Sequence, residues 1–381
     1  LPPNAALRAS CNGAIDRRAY CGRQLWWTSS GVRGLQRKST SMKPTLPCGA
    51  NRWAQVCVLL MAALCGGQTQ AADAASAPAA EGAASAATAN PPACPPAPQT
   101  PTAEQIQAAR RDARDRGFLW RISKQGRSSY LFGTLHVGKL PWAFAGPRLR
   151  EALAGTDTLA LELDVTDPEL TRNPPAAAMT PLALPDALRA RLSQQIAAAC
   201  LPEQALQRFN PLYQVVTLTV LSARWEGLDA AFAQEIVLAG AARAQRRPII
   251  ALESAQAQMA LLLPSDPDEA RHLLDQALEQ LERGRTRPLL RRMAEAWSDG
   301  RLSELEQYSQ WCECADTTED RAFLRRLNDD RNLPMADRID ALHGEGKRVL
   351  VAVGALHMTG EQGLPRLMAA RGYTVERLVP P

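Results

Sequence analysis

Two apolar runs in this chain each end in glycine, two further residues and a histidine: YLFGTLH, with Gly133 and His136, and VAVGALH, with Gly354 and His357. Short runs of β-branched, leucine and aromatic residues read as buried strands, and a glycine at the strand end allows a sharp turn and a close backbone approach. In an open α/β sheet the functional crevice lies beyond the carboxyl ends of the strands. If both runs enter one sheet, both imidazoles point into the same opening. A single copy is weak evidence, because a histidine closing a strand can simply hydrogen-bond a nearby carbonyl. The matched pair at opposite ends of one domain is the constraint.

The sequence between the two copies alternates between strand and helix patterns. FLWRISKQGRSSYLFGTLHVG reads as a hairpin, Phe118 to Ser123 and Ser128 to Gly133, turning at Gly126. A helix near Arg148 to Ala154 leads to a strand in DTLALELDV. Leu182 to Gly344 is helical by apolar spacing, as in ARHLLDQALEQLERG, with one buried-looking strand in RPIIALES. The end of the chain gives strand RVLVAV, a helix from about Glu361 and a closing strand in YTVERLV. The expected fold is α/β: pseudo-symmetric strand–helix–strand halves forming a mixed sheet, with a large helical insertion.

The N-terminal part reads differently. From Met42 a short basic start, an apolar core from Val56 to Leu64 and then small residues have the anatomy of a signal peptide, with cleavage expected after Ala71 and Ala74 as the competing site. The apolar run is too short for a stable transmembrane span, which needs about 20 residues. Leu64 stands where a small residue should precede a lipidated cysteine, so anchoring at Cys65 is not expected. Residues 1–41 then read as an upstream extension outside the native protein, 42–71 as signal peptide, 72–111 as a disordered Ala/Pro-rich linker and 112–381 as the folded domain. A periplasmic or secreted location follows.

Charge and cysteines narrow the function classes. The chain's formal charge is +5, yet residues 1–52 hold nine Lys or Arg against one acid, so the remainder is net acidic. The folded part offers no basic helix or aromatic-interleaved patch, which argues against nucleic acid as a partner. Cys94, Cys200, Cys312 and Cys314 remain after cleavage, an even set that can pair in an oxidising compartment. The expected bridge runs from Cys200 to Cys312 or Cys314. WCEC alone has no second pair at metal-ligand spacing.

Acids lie within reach of the histidines. Glu162 and Asp164 alternate with leucines in LALELDV and share a face, and Glu162 follows His136 by one strand–helix–strand step. Glu253, after the apolar run of RPIIALES, is a second-tier candidate. His272 and His343 sit among charged residues in helical segments and read as surface groups. Two imidazoles and a carboxylate with an open position suit a divalent metal that activates water. The same groups could act without metal, with Glu162 as general base and a histidine as electrophile or orienter.

LFGTLHVG, LALELDV, EGLDAAF, RPIIALES, DDRNLPMADRI and VLVAVGALHMTGEQGLPRLMAARGYTVERL together resemble the TraB/PrgY/GumN family. That family is related to the Tiki metalloproteases and more distantly to erythromycin esterase and the haem-binding ChaN proteins. The likeness runs from Gly117 to Leu378, and the two Gly-x-x-His motifs are its specific part. It implies that His136, His357 and Glu162 match metal-binding or catalytic positions. It also implies that Arg331 and Asn332 match an Arg-Asn pair able to hold a substrate carboxylate or oxyanion. Ser254 and Ala257 depart from the pattern, where threonine and an acid are usual, which weakens the Glu253 segment. The expected function is an exported metal-dependent hydrolase acting on a peptide or protein substrate. Manganese or cobalt is implied by the Tiki likeness, and zinc fits the residue types equally. The competing class is a non-catalytic periplasmic protein that sequesters a peptide, haem or metal; a metal-independent esterase is a third.

Overall fold

The computed structural model describes residues 94–379. The expected upstream extension, the signal peptide, Cys65 and residues 72–93 of the expected linker lie outside the described residues. Six strands form one mixed sheet: β1 (Phe118–Lys124), β2 (Arg127–Thr134), β3 (Thr158–Leu161), β4 (Ile249–Ala251), β5 (Val349–Gly354) and β6 (Thr374–Arg377), in the order β4-β3-β5-β2-β1-β6. β4, β3, β5 and β2 run parallel, while β1 pairs antiparallel with both β2 and β6. The β1–β2 hairpin closes through Gln125 and Gly126, at φ 51° and 74°. Left-handed backbone at both central residues gives the tight turn the twist of the strands that the hairpin needs.

The register fixes where the chemistry can lie. Thr134 pairs with Gly354, and Leu161 pairs with both Ala352 and Ala251. The carboxyl ends of four parallel strands therefore finish side by side. β5 is buried along its whole length, as expected for an apolar run covered on both faces. β4, read from the sequence as buried, is instead a half-exposed edge strand, because it pairs with β3 alone.

Strand–helix–strand steps enter both sides of the sheet, through helix Pro147–Ala154 between β2 and β3 and helix Leu364–Ala370 between β5 and β6. The rest is the expected helical insertion. It supplies part of the sheet's own core, including Trp297 and Ile339, and a second core around Leu212, Val216, Leu274, Leu278 and Phe323. In helix Pro267–Glu282 the buried residues Ala270, Leu273, Leu274, Ala277 and Leu278 follow the three- and four-residue spacing that marked it in the sequence.

Three expectations need correction. The last part of the expected disordered linker is ordered: helix Ala103–Arg111 starts with a reciprocal capping box between Thr102 and Gln105, and Cys94 is bonded to Cys200. Cap and cross-link supply what the low-complexity composition lacks. The second bridge joins Cys312 to Cys314, so Cys200 pairs with neither. His343 is buried, with its Nε2 3.0 Å from the Lys124 carbonyl and its ring edge-on to Tyr373, whereas His272 is exposed as expected.

Candidate functional site

The turn after β2 is zipped onto the chain ahead of helix Gln234–Ala244. Gly138 and Asp229 exchange backbone hydrogen bonds of 3.0 and 2.8 Å, and Gln234 Oε1 accepts from the Leu135 N–H at 2.8 Å. This brings the Glu235 carboxylate onto His136 Nδ1. On the other side of the site, helix Asp329–Gly344 buries Arg331 and Asn332 in its first turn. The Asn332 amide donates to the Gln362 carbonyl at 2.9 Å and turns its Oδ1 to His357 Nδ1 at 2.6 Å.

Both imidazoles thus meet an acceptor at Nδ1. A carboxylate cannot donate, and the Asn332 amide nitrogen is already engaged, so each ring carries its proton on Nδ1 and a bare lone pair on Nε2. Both Nε2 atoms are buried without a hydrogen-bond partner. Burial, only partly offset by the Glu162 charge, pushes His136 down to about 4 and His357 down to about 3. Both rings are neutral at physiological pH.

Glu162 lies just past β3, where it meets both. Its Oε1 accepts the Gly354 N–H at 2.6 Å and stands 3.6 Å from His357 Nε2, and its Oε2 accepts from Arg331 Nη2 at 2.6 Å. Burial pushes this carboxyl up, but Arg331, the two imidazole neighbours and the Gly354 N–H outweigh it and hold it at about 2. Gly354 is where the side chains converge: a Cβ there would sit 3.2 Å from Glu162 Oε1 and 3.9 Å from His136 Nε2. The glycine of the first motif serves a different contact, since a Cβ on Gly133 would lie 3.1 Å from the Ala355 Cα. Each motif uses its glycine for space, because the Ala355 backbone or the Glu162 carboxylate passes where a side chain would stand.

Arg331 is the hub of the cluster. Its Nε donates to Glu253 Oε1 at 2.8 Å, its Nη2 reaches both Glu253 and Glu162, and its Nη1 donates to the Leu327 carbonyl at 2.9 Å. Burial disfavours the cation, but the two carboxylates hold it protonated. Burial raises Glu253, with Glu162 adding to the effect against Arg331. The Glu253 segment, weakened by its unusual neighbours in the sequence, is therefore part of the cluster: Ser254 caps helix Ala255–Leu262 through the Ala257 N–H, and Gln258 approaches Glu162.

All the residues singled out in the sequence come together except Asp164, which turns away to pair with Arg243 at 2.5 Å. They differ from expectation in exposure. His357, Glu162 and His136 are 0%, 4% and 5% exposed, so they lie inside the protein rather than along an open crevice. Arg331 and Asn332, expected to hold substrate, direct their donors inward. Glu235 was missed: an acid in the first turn of a helix is ordinary dipole compensation, and nothing local separates it from that role.

Chemically the cluster is acceptor-rich. Two imidazole lone pairs and a carboxylate oxygen gather in a buried interior, two carboxylates face one guanidinium, and a third carboxylate, Glu235, faces His136. Among the described residues no group of three His, Cys, Asp or Glu is arranged so that it could hold a metal ion. The donor types nonetheless suit one, because metal-binding histidines characteristically give their second N–H to a carboxylate or carbonyl.

Residues 118–377 match the TraB/PrgY/gumN family. The chain belongs to this family. The chain is also similar to two proteins named uncharacterized protein YbaP. The one from Shigella flexneri is 32% identical over 254 residues, covering 64% of this chain and 88% of the relative. The one from Escherichia coli strain K12 is 31% identical over the same shares. No solved structure matches significantly. Membership in the TraB/PrgY/gumN family is consistent with hydrolase-type activity in general.

Proposed function

We propose that this chain is an exported, metal-dependent hydrolase of peptide bonds, with His136 and His357 as imidazole ligands and Glu162 as third ligand or general base. The observation that carries the reading is the pair of buried Nε2 lone pairs without partners, each fixed by an acceptor at Nδ1 and both close to one ionised carboxylate. Unpaired acceptors cost free energy inside a protein, and a cation between them removes that cost. A divalent ion there would polarise a substrate carbonyl and lower the pKa of a bound water. Manganese or cobalt follows from the likeness to Tiki metalloproteases, and zinc fits the donors as well.

The protein's own groups supply the rest. Glu235 and Asn332 keep the two rings in the tautomer that presents Nε2, and Arg331, neutralised in part by Glu253, holds the Glu162 carboxylate ionised. Because Glu162 is held ionised at about 2, it suits an anionic ligand or a hydrogen-bond acceptor that orients water near the two rings better than a strong general base. One feature of the described residues supports export: the Cys94–Cys200 and Cys312–Cys314 bridges suit an oxidising compartment.

The test is to strip the purified protein with chelator, reload it with Mn²⁺, Co²⁺ or Zn²⁺ and follow cleavage of a peptide library. Metal-restored cleavage, lost in His136→Ala and His357→Ala, is the expected outcome. Stoichiometric capture of peptide or haem without product would replace the enzyme with a binding protein. Cleavage that survives chelation yet needs Glu162 would make it an esterase-like hydrolase.

A further inference from the structure

A cavity of about 620 Å³ lies between the N-terminal arm and the segments around Leu140 and Leu228. That is the size of a small-ligand pocket. Pro98 and Ala108, from the N-terminal arm held by Cys94–Cys200, form one wall; Leu140, Pro141, Leu228 and Phe232 form the other. The second wall belongs to the segment that follows His136 and the segment that leads into the helix of Glu235, joined by the Gly138–Asp229 hydrogen bonds. A molecule bound here therefore touches the frame of the candidate site.

One charge in this apolar cavity has no counter-ion among the described residues. Arg116 lines it, with its Nε buried and unpartnered and its Nη1 reaching only the carbonyls of Arg114 and Pro141, each at 3.4 Å. The other charged groups facing the cavity are Asp112, 3.5 Å from Arg111, and Asp229 and Arg224, which pair with each other at 2.8 Å. Burial, with Arg114 adding to it, lowers the Arg116 pKa from the usual arginine value. A half-buried guanidinium without a carboxylate is costly, and its planar fork matches a carboxylate in two-point contact.

We propose that this cavity binds the C-terminal residue of an apolar peptide, with its carboxylate on Arg116 and its side chain against Leu140, Leu228 and Phe232. The choice of a peptide rests on the hydrolase reading; the anion-binding cavity itself does not. A free apolar acid presents the same chemistry and is distinguished by the test.

The experiment is calorimetric titration of the full chain in chelator, where metal-dependent turnover is absent. The probes are N-acetyl-Ala-Leu-Phe as free acid, the same peptide as C-terminal amide, and decanoate. The free acid should bind at least about tenfold more tightly than the amide, as a charge-assisted pair implies. Arg116→Gln should abolish that difference while leaving amide binding in place, and Arg116→Lys should retain part of it. Equal affinity for acid and amide, or a preference unchanged in Arg116→Gln at an unaltered melting temperature, overturns the proposal. Decanoate bound more tightly than the peptide overturns the choice of a peptide. Carboxylate preference without any later peptide cleavage leaves the cavity and removes the hydrolase; cleavage without the preference does the reverse.

Discussion

The two Gly-x-x-His turns share a motif and a sheet edge but differ in what stands behind the ring. His136 gives its Nδ1 proton to a carboxylate, Glu235, brought by the helical insertion, whereas His357 gives its own to an amide, Asn332, on the helix ahead of its strand. A carboxylate partner makes an imidazole a stronger donor at its other nitrogen than an amide does. The motif thus places the ring, and a residue remote in sequence sets its basicity. Glu162 and Arg331 sit between the two turns and serve both.

The severest way to break the comparison is to remove what both halves share. Arg331→Met keeps the bulk but leaves Glu162 and Glu253 buried without their cation. Breaking a buried pair in this way should cost about 3–5 kcal/mol of stability at pH 7, read from urea denaturation. The loss should shrink on acidification, because Glu253 already has a raised pKa and takes up a proton readily. A loss that does not change with pH would mean the guanidinium acts by packing alone.

Exchanging the partners sharpens the comparison. Glu235→Gln gives His136 an amide like that of His357, and metal affinity should fall about 10- to 100-fold, as loss of such a supporting carboxylate typically does. Asn332→Ala should weaken metal binding less, because the group removed is neutral. Cobalt titration followed by visible absorption checks the ranking, and equal losses would erase the proposed difference between the turns.

How legible this was depends on distance along the chain. Gly133, His136, Gly354 and His357 could be found because each is tied to its own strand, and a strand's period and end are local signals. Glu162 was legible for the same reason, as the residue directly after β3. Arg331 and Asn332 entered through family likeness, since on periodicity alone they read as a polar pair on a helix surface; in the fold both are buried, Arg331 against Glu162 and Glu253 and Asn332 against His357 and Gln362, all distant along the chain. Glu235 and the Cys94–Cys200 bridge depend wholly on tertiary contacts spanning 99 and 106 residues, which no local pattern records. His343 misled for the same reason, its partners Lys124 and Tyr373 coming from β1 and the chain end.

Acid titration of the metal-free protein offers a subtler separation. Both histidines have folded pKa values depressed below the ordinary 6.5, to about 4 for His136 and about 3 for His357. Below 6.5 the unfolded rings bind protons that the folded rings refuse, so stability is full above 6.5 and falls as pH drops. The two contribute alike down to about 4, where His136 protonates in the folded state and its share stops growing; the His357 share grows to about 3. Glu162, held at about 2 against an ordinary 4.5, adds a loss of the same sign below 4.5. Glu253, raised, works in the opposite direction, its contribution being lost as pH rises. Urea midpoints should therefore stay level from pH 7.5 to about 6.5 and fall from there to pH 3, and His136→Gln and His357→Gln should flatten the upper part of that fall equally.

The smallest effects lie in the motif glycines, where the two turns should fail in different ways. In Gly133→Ala the new methyl meets the Ala355 Cα at 3.1 Å and Met358 Cγ at 3.2 Å. The side chain can swing aside but the backbone cannot, so β2 and the turn after β5 must part slightly, at a cost of about 1–2 kcal/mol. In Gly354→Ala the nearest atom is Glu162 Oε1 at 3.2 Å, the far end of a side chain that can give by a few tenths of an ångström. Stability should hardly change, but the carboxylate shifts relative to His136 and His357, and metal affinity should drop. Melting temperature and cobalt titration measured on both variants separate the outcomes. A Gly354→Ala protein that melts lower yet binds metal as before would show that the second glycine, like the first, serves packing and not the cluster.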